Sequence, residues 1–162
     1  MVGRTIMVVD DQRAVRETLK FVLTRAGYRV IDAESAQSAI ILAASEAIDA
    51  ALIDVHMPRM NGFEACDRLR VQAEQGGRSI RMWLMTGAAD KDVERRAIEC
   101  GTLGLLRKPF ALSNLYETLE RGFASPIPKA VQPRESSATP DTADGQRSVL
   151  SWNGLKHADV GP

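Results

Sequence analysis

One feature constrains the fold of this chain more than any other: an alternation of two textures. Short apolar runs recur at Ile6-Met7-Val8-Val9, Arg29-Val30-Ile31, Ala50-Ala51-Leu52-Ile53, Met82-Trp83-Leu84-Met85 and Leu103-Gly104-Leu105-Leu106. The first, third and fourth are almost continuously apolar, as in strands buried on both faces of a parallel sheet. Segments of helical period separate them. Val15, Leu19, Val22, Leu23 and Ala26 follow the i, i+4, i+7 rhythm, and Gly27 offers a stop. Ala36, Ala39, Ile40, Ala43, Ala44 and Ala47 form a second stripe behind Ser35, an N-cap residue type. A third helix begins at Phe63, Cys66 and Leu69 and ends before Gly76-Gly77. The spacing of Val93, Ala97 and Ile98 predicts a fourth, entered through Asp90 and closed by Gly101. Leu112, Leu115, Tyr116 and Leu119 predict a fifth, closed by Gly122.

The order is therefore strand–helix repeated five times. Right-handed crossovers turn such a chain into an open sheet with helices on both faces. Five strands favour the flavodoxin-like (βα)5 doubly wound parallel sheet, strand order 2-1-3-4-5. Residues 1–122 are expected to form this domain. From Ser125-Pro126-Ile127-Pro128 the texture becomes rich in Pro, Ser, Thr, Ala and Asp, so residues 123–162 are expected to be a disordered tail. The apolar stretch Ser148–Leu155 is expected to be a frayed end.

Composition removes several classes of function. The 162 residues carry 21 basic and 21 acidic side chains, so net charge points to neither nucleic acid nor an anionic membrane. No apolar run approaches the roughly 18 residues of a membrane span. The first residues run directly into a strand without the apolar core of a signal peptide. Cys66 and Cys100 form no CxxC pair and no disulfide framework. A reducing cytoplasm is the expected compartment.

In a doubly wound sheet, ligands sit beyond the carboxyl ends of the strands. Strand 1 delivers Asp10 and Asp11 there, strand 3 Asp54, strand 4 Thr86 and strand 5 Lys108. Each alone has a mundane explanation as a turn or cap residue. Together they converge three carboxylates, a hydroxyl and an ammonium on one mouth. Crowded carboxylates need a cation or protons. Oxygen-only donors with phosphate suit Mg²⁺. Carboxylate, hard cation, lysine and hydroxyl together suit phosphoryl transfer onto a carboxylate.

The same residues resemble the response-regulator receiver family of two-component signalling. The similarity rests on Val8-Val9-Asp10-Asp11, Asp54-Val55-His56-Met57-Pro58-Arg59-Met60-Asn61-Gly62, Met85-Thr86-Gly87 and Lys108-Pro109-Phe110, and spans roughly residues 4–121. The resemblance implies that Asp54 is the phosphoacceptor, charged by a sensor histidine kinase or a histidine phosphotransfer protein. It implies Mg²⁺ held by Asp10, Asp11, Asp54 and the backbone carbonyl of His56. Thr86 and Lys108 become the hydroxyl and cation that meet the phosphoryl group, and Lys108-Pro109 matches the family's cis peptide. His56 and Ala88 flank the phosphoryl site. The protein is expected to be a signalling acceptor and not an enzyme in its own right.

One departure bears on output. The family's switch aromatic, three residues before the lysine, falls here on Leu105, which has no ring to swing between solvent and core. No effector segment is recognisable after residue 122, so output is expected by contact with a downstream protein. The family's responding face, helix 4–strand 5–helix 5, would offer Lys91, Arg95, Arg96, Arg107 and Tyr116, and a homodimer through it is a further expectation. Leu105 also motivates an alternative, a receiver-like docking module that no longer switches. An aspartate-nucleophile phosphatase is the third reading, disfavoured because His56 stands where those enzymes carry a second acid.

Overall fold

The computed structural model describes residues 3–88 and 91–130. The elements alternate as β1 (Thr5–Val9), α1 (Arg13–Arg25), β2 (Arg29–Ala33), α2 (Ala36–Ser45), β3 (Ala50–Asp54), α3 (Gly62–Gln75), β4 (Arg81–Thr86), α4 (Lys91–Glu99), β5 (Gly104–Arg107) and α5 (Leu112–Ala124). All pairings are parallel, in the order β2-β1-β3-β4-β5. The expected doubly wound sheet and strand order are both present.

Burial explains why the strands differ in texture. Every residue of β1 and β3 is buried, as is all of β4 after Arg81. These central strands are covered on both faces and are apolar except at their ends, where Thr5, Asp54 and Thr86 lie. The edges β2 and β5 are half-exposed and tolerate Arg29, Asp32 and Arg107. Alternate residues feed two separate cores. Met7, Val9, Ala51, Ile53, Met82 and Leu84 face α2, α3 and α4. Ile6, Val8, Leu52, Trp83 and Met85 face α1 and α5. The small alanines of α2 (Ala36, Ala39, Ala43) let that helix sit close to its neighbours.

Caps fall largely where the sequence places them. The Ser35 hydroxyl accepts from the Ser38 amide, and Asn61 caps α3 by accepting from Phe63 and Glu64. Gly27, Gly77 and Gly101 all take positive φ after their helices. Gly122 differs from its expectation. It does not end α5, which continues to Ala124 before Ser125 and Pro126 stop it. The missing side chain serves packing: a Cβ at Gly122 would overlap the buried indole of Trp83. The proposed entry of α4 through Asp90 falls outside the described residues. So do residues 131–162, and with them most of the expected tail and the stretch Ser148–Leu155. Residues 125–130 are described, and Ile127, Pro128 and Ala130 are half-buried against the body of the domain.

Candidate functional site

The parallel sheet carries the carboxyl ends of β1, β3, β4 and β5 to one edge. There Asp10, Asp11 and Asp54 each bring a carboxylate oxygen within 4.8 Å of the others. Asp10 and Asp54 are buried, at 0% and 4% exposure, whereas Asp11 faces solvent. Lys108 reaches across from β5 and donates to Asp10 Oδ2 at 2.6 Å and to Asp54 Oδ1 at 2.9 Å. One ammonium thus faces three acids.

The backbone around each acid is held from several directions. The Gln12 amide donates to Asp10 Oδ1 at 2.9 Å, beside the start of α1. The Asp10 amide donates to Ala33 O. Behind Asp54 the Val55 amide donates to Met85 O at 2.8 Å, and the Gly62 amide to Val55 O at 3.0 Å. Gly62 brings the first turn of α3 so near that a Cβ there would overlap the Asp54 carbonyl. On the lysine side, the Lys108 amide donates to Thr86 O at 2.7 Å, and the Lys108–Pro109 peptide is cis.

Electrostatics follow from this burial. Desolvation pushes the Asp54 carboxyl above its ordinary range. The Lys108 ammonium opposes that rise, and Asp10 and Asp11 add to it. Burial pulls the Lys108 ammonium down, but its bonds to Asp10 and Asp54 outweigh that effect and hold it above its ordinary value. The pocket therefore has a firmly protonated lysine beside a carboxylate that is uncomfortable as an anion. The donor set (three carboxylates, no sulfur, no imidazole in the cluster) fits a hard divalent cation.

Thr86 is fully buried at the end of β4, yet its hydroxyl is engaged with the loop and not with the acids. It donates to Ala88 O at 3.0 Å and accepts from the Ala88 amide at 3.2 Å. His56 has an exposed side chain two residues beyond Asp54. Leu105 lies half-buried against the α2–α3–α4 core.

Arg16 joins the site only in three dimensions. From α1 its Nη1 donates to the carbonyls of Asp10 at 2.9 Å and Asp11 at 3.2 Å. It thereby fixes the backbone that presents both acids. The available signal was an arginine on the first turns of α1 whose side chain is only 12% exposed, a burial that sequence does not reveal. The basic side chains expected to present a docking face are largely spoken for. Arg95 pairs with Asp92 and Glu99, Arg107 with Glu94, and Arg96 lies 4.0 Å over the Phe63 ring. Tyr116 donates to Val22 O at 3.1 Å.

Comparison with known proteins decides the family. The response regulator receiver domain family matches residues 6–120. This chain belongs to that family. Its members are the phosphoacceptor domains of two-component signalling. They take phosphoryl groups from histidine kinases or phosphotransfer proteins and bind Mg²⁺ at the acidic site. The chain is 36% identical over 151 residues to response regulator MprA of Mycolicibacterium vanbaalenii, covering 93% of this chain and 58% of that protein. It is 41% identical over 111 residues to MprA of Mycobacterium avium, covering 68% of this chain and 46% of the relative. The chain thus spans about half the length of the curated relatives it matches. The receiver fold also matches Vibrio cholerae chemotaxis protein CheY4, with a TM-score of 0.69 and 28% identity, over 74% of this chain and 98% of that one. Among the described residues, no helix is long and apolar enough to cross a membrane.

Proposed function

We propose that Asp54 of this receiver domain accepts a phosphoryl group from a phosphohistidine on a sensor histidine kinase or histidine phosphotransfer protein. The observation that carries this reading is the bridge from Lys108 to both Asp10 and Asp54 at the mouth of the sheet. The Asp54 carboxylate attacks phosphorus, a P–O bond forms, and the electron pair of the breaking P–N bond returns to the donor imidazole. Lys108 transfers part of its hydrogen bonding from Asp54 to the new phosphoryl oxygens. Thr86 exchanges its bond to the Ala88 carbonyl for one to a phosphoryl oxygen. Asp10, Asp11, Asp54 and the backbone carbonyl of His56 would hold Mg²⁺. When bound, the cation supplies positive charge against the phosphoryl oxygens. His56, exposed at the rim, governs access of water to the aspartyl phosphate, so His56→Ala changes its lifetime.

The domain acts in the cytoplasm as a signalling acceptor, and it signals to a downstream protein by contact, without nucleic acid or membrane. A second copy of the chain would use the α4–β5–α5 face. Labelling with acetyl phosphate and Mg²⁺, followed by intact-mass measurement, tests the central step. One phosphoryl adduct is expected, absent in Asp54→Asn. The half-buried Leu105 supports the second reading, a docking module that does not switch. A wild-type chain that stays unlabelled with Mg²⁺ present would select that reading.

A further inference from the structure

The chain does not leave the domain where α5 ends. α5 belongs to the layer it shares with α1, with Leu115, Leu119 and Phe123 in the core around Trp83. Pro126 cannot continue the helix, and residues Ser125–Ala130 run from this layer toward the other one. Arg81, the first residue of β4, marks the crossing. Its Nε donates to Gly122 O at 3.1 Å and its Nη2 to Ser125 O at 3.4 Å. Beyond it, Ile127, Pro128 and Ala130 share a cleft with Arg70, Val71 and Glu74 of α3, with Ile80, and with Gly101. The segment is a strap across the end of the sheet opposite the acids.

The strap passes close to Gly101. This residue closes α4: its amide donates to Ile98 O at 2.9 Å, and the Thr102 amide to Ala97 O at 3.1 Å. A Cβ at Gly101 would lie 2.8 Å from Ala130 N and 2.9 Å from Ala130 Cα. Backbone meets backbone here, with no flexible side chain between them. The helix that Gly101 closes is thinly anchored. Ala97 is its one buried residue, Val93 is only partly buried against the core, Arg96 lies over the Phe63 ring, and the side-chain tie to β5 is the exposed pair Glu94–Arg107, a kind of contact that holds weakly.

We propose that Ser125–Ala130 is a latch on α4, through which the state of the Asp54 pocket is read at the opposite end of the sheet. The trigger rests on the phosphoacceptor reading; the latch contact does not. Thr86 anchors the loop leading into α4 through two hydrogen bonds with Ala88. A phosphoryl group that recruits the Thr86 hydroxyl breaks its bond to the Ala88 carbonyl and loosens the loop. Helices shift as units, so movement of the first turn of α4 reaches Gly101, and the strap must move with it or part from it. The position of the strap then depends on the pocket. By reciprocity, release of the strap favours the phosphorylated state by the same factor.

The fold contains its own control. Gly77 has φ +65, close to the +63 of Gly101, but a Cβ there meets nothing within 4 Å. Gly77→Ala carries the backbone strain alone, whereas Gly101→Ala adds the collision with the strap. On the full chain, two readouts follow the latch: trypsin cleavage after the exposed Lys129, and hydrogen exchange of the α4 amides. Gly101→Ala is expected to accelerate both by about fivefold or more, the lower range of coupling between sites. Gly77→Ala should leave both at the wild-type rate. Ile127→Ser opens the latch without touching the cap of α4 and should behave like Gly101→Ala, even if the latter folds poorly. Phosphoryl labelling of the wild type should accelerate both readouts, and Asp54→Asn should remove that response. Equal behaviour of the Gly101, Gly77 and Ile127 variants overturns the latch. An adduct seen by mass without change at Lys129 or α4 overturns its coupling to the pocket. Absence of any adduct overturns the trigger together with the phosphoacceptor reading, while the comparison of variants still decides the latch.

Discussion

The two ends of the sheet are built from opposite materials. The carboxyl end buries polar groups: Asp10 and Thr86 are 0% exposed and Asp54 is 4% exposed. The other end is sealed by rings and guanidinium groups. Phe123 stacks on Tyr28 and meets Trp83 edge-on, with Arg4 lying 4.1 Å over its face and Arg81 5.8 Å over it. Rings release free energy on burial, whereas buried carboxylates cost free energy until a cation or a proton meets them. The sealed end therefore holds the fold, and the acidic end holds electrostatic tension for a ligand to relieve.

The hardest blow to this contrast comes from its apolar side. Trp83→Ala removes a 1%-exposed indole and should lower unfolding free energy by about 3–5 kcal/mol, measured by urea titration. A loss below about 1 kcal/mol would mean that the sealed end is not the anchor. The acidic end should respond instead to its ligand. Mg²⁺ at about 100 times its Kd should stabilise the wild type by about 2.7 kcal/mol, and Asp11→Asn should shed most of that gain in the same titration. An equal response from both proteins would remove Asp11 from the cation site.

Proton linkage sharpens the comparison further. Burial raises the Asp54 carboxyl in the fold, so its ionised form is disfavoured there. Below the unfolded value of 3.8 the group is protonated in both states and carries no penalty. The penalty grows as pH rises through the window from that value to the folded one, and it persists above it. Without metal, Asp54→Asn should therefore gain stability relative to wild type as pH rises from 3.8 toward neutrality. A difference that stays constant with pH would contradict this. The smallest effect lies on the half-exposed edge strand β2. The Lys20 ammonium, 2.7 Å from Asp32, holds that carboxyl below its ordinary range, against the opposing pull of burial. The pair contributes above pH 3.8, and its contribution fades as pH falls through the lowered folded value. Lys20→Ala should cost about 0.2–1 kcal/mol near neutrality, and less in high salt.

Much of the fold is legible in one dimension. Continuous apolar runs identify β1, β3 and β4 because burial on both faces favours apolar side chains between the strand ends. Ser35, Gly27, Gly76-Gly77 and Gly101 mark helix ends because cap chemistry acts within a few residues. Gly122 misleads for a related reason. A glycine after a helical stripe looks like a stop, and only the indole of Trp83, distant in sequence, explains the missing side chain. Arg16 is invisible as a support for Asp10 and Asp11 because its role depends on where the α1 axis points.

The repeat of strand and helix is written in the local sequence, and with it the edge of the sheet that carries Asp10, Asp11, Asp54, Thr86 and Lys108. Periodicity and strand ends are local properties, and parallel topology turns them into position. How those groups meet depends on the packed fold. The ammonium of Lys108 bridges acids 98 and 54 residues away, and the Thr86 hydroxyl turns to Ala88. The strap after α5 lies against Gly101, Arg95 and Arg107 pair with nearby acids, and Arg96 lies over the Phe63 ring. These facts depend on side-chain reach and on distances between segments remote in sequence, which no local pattern encodes.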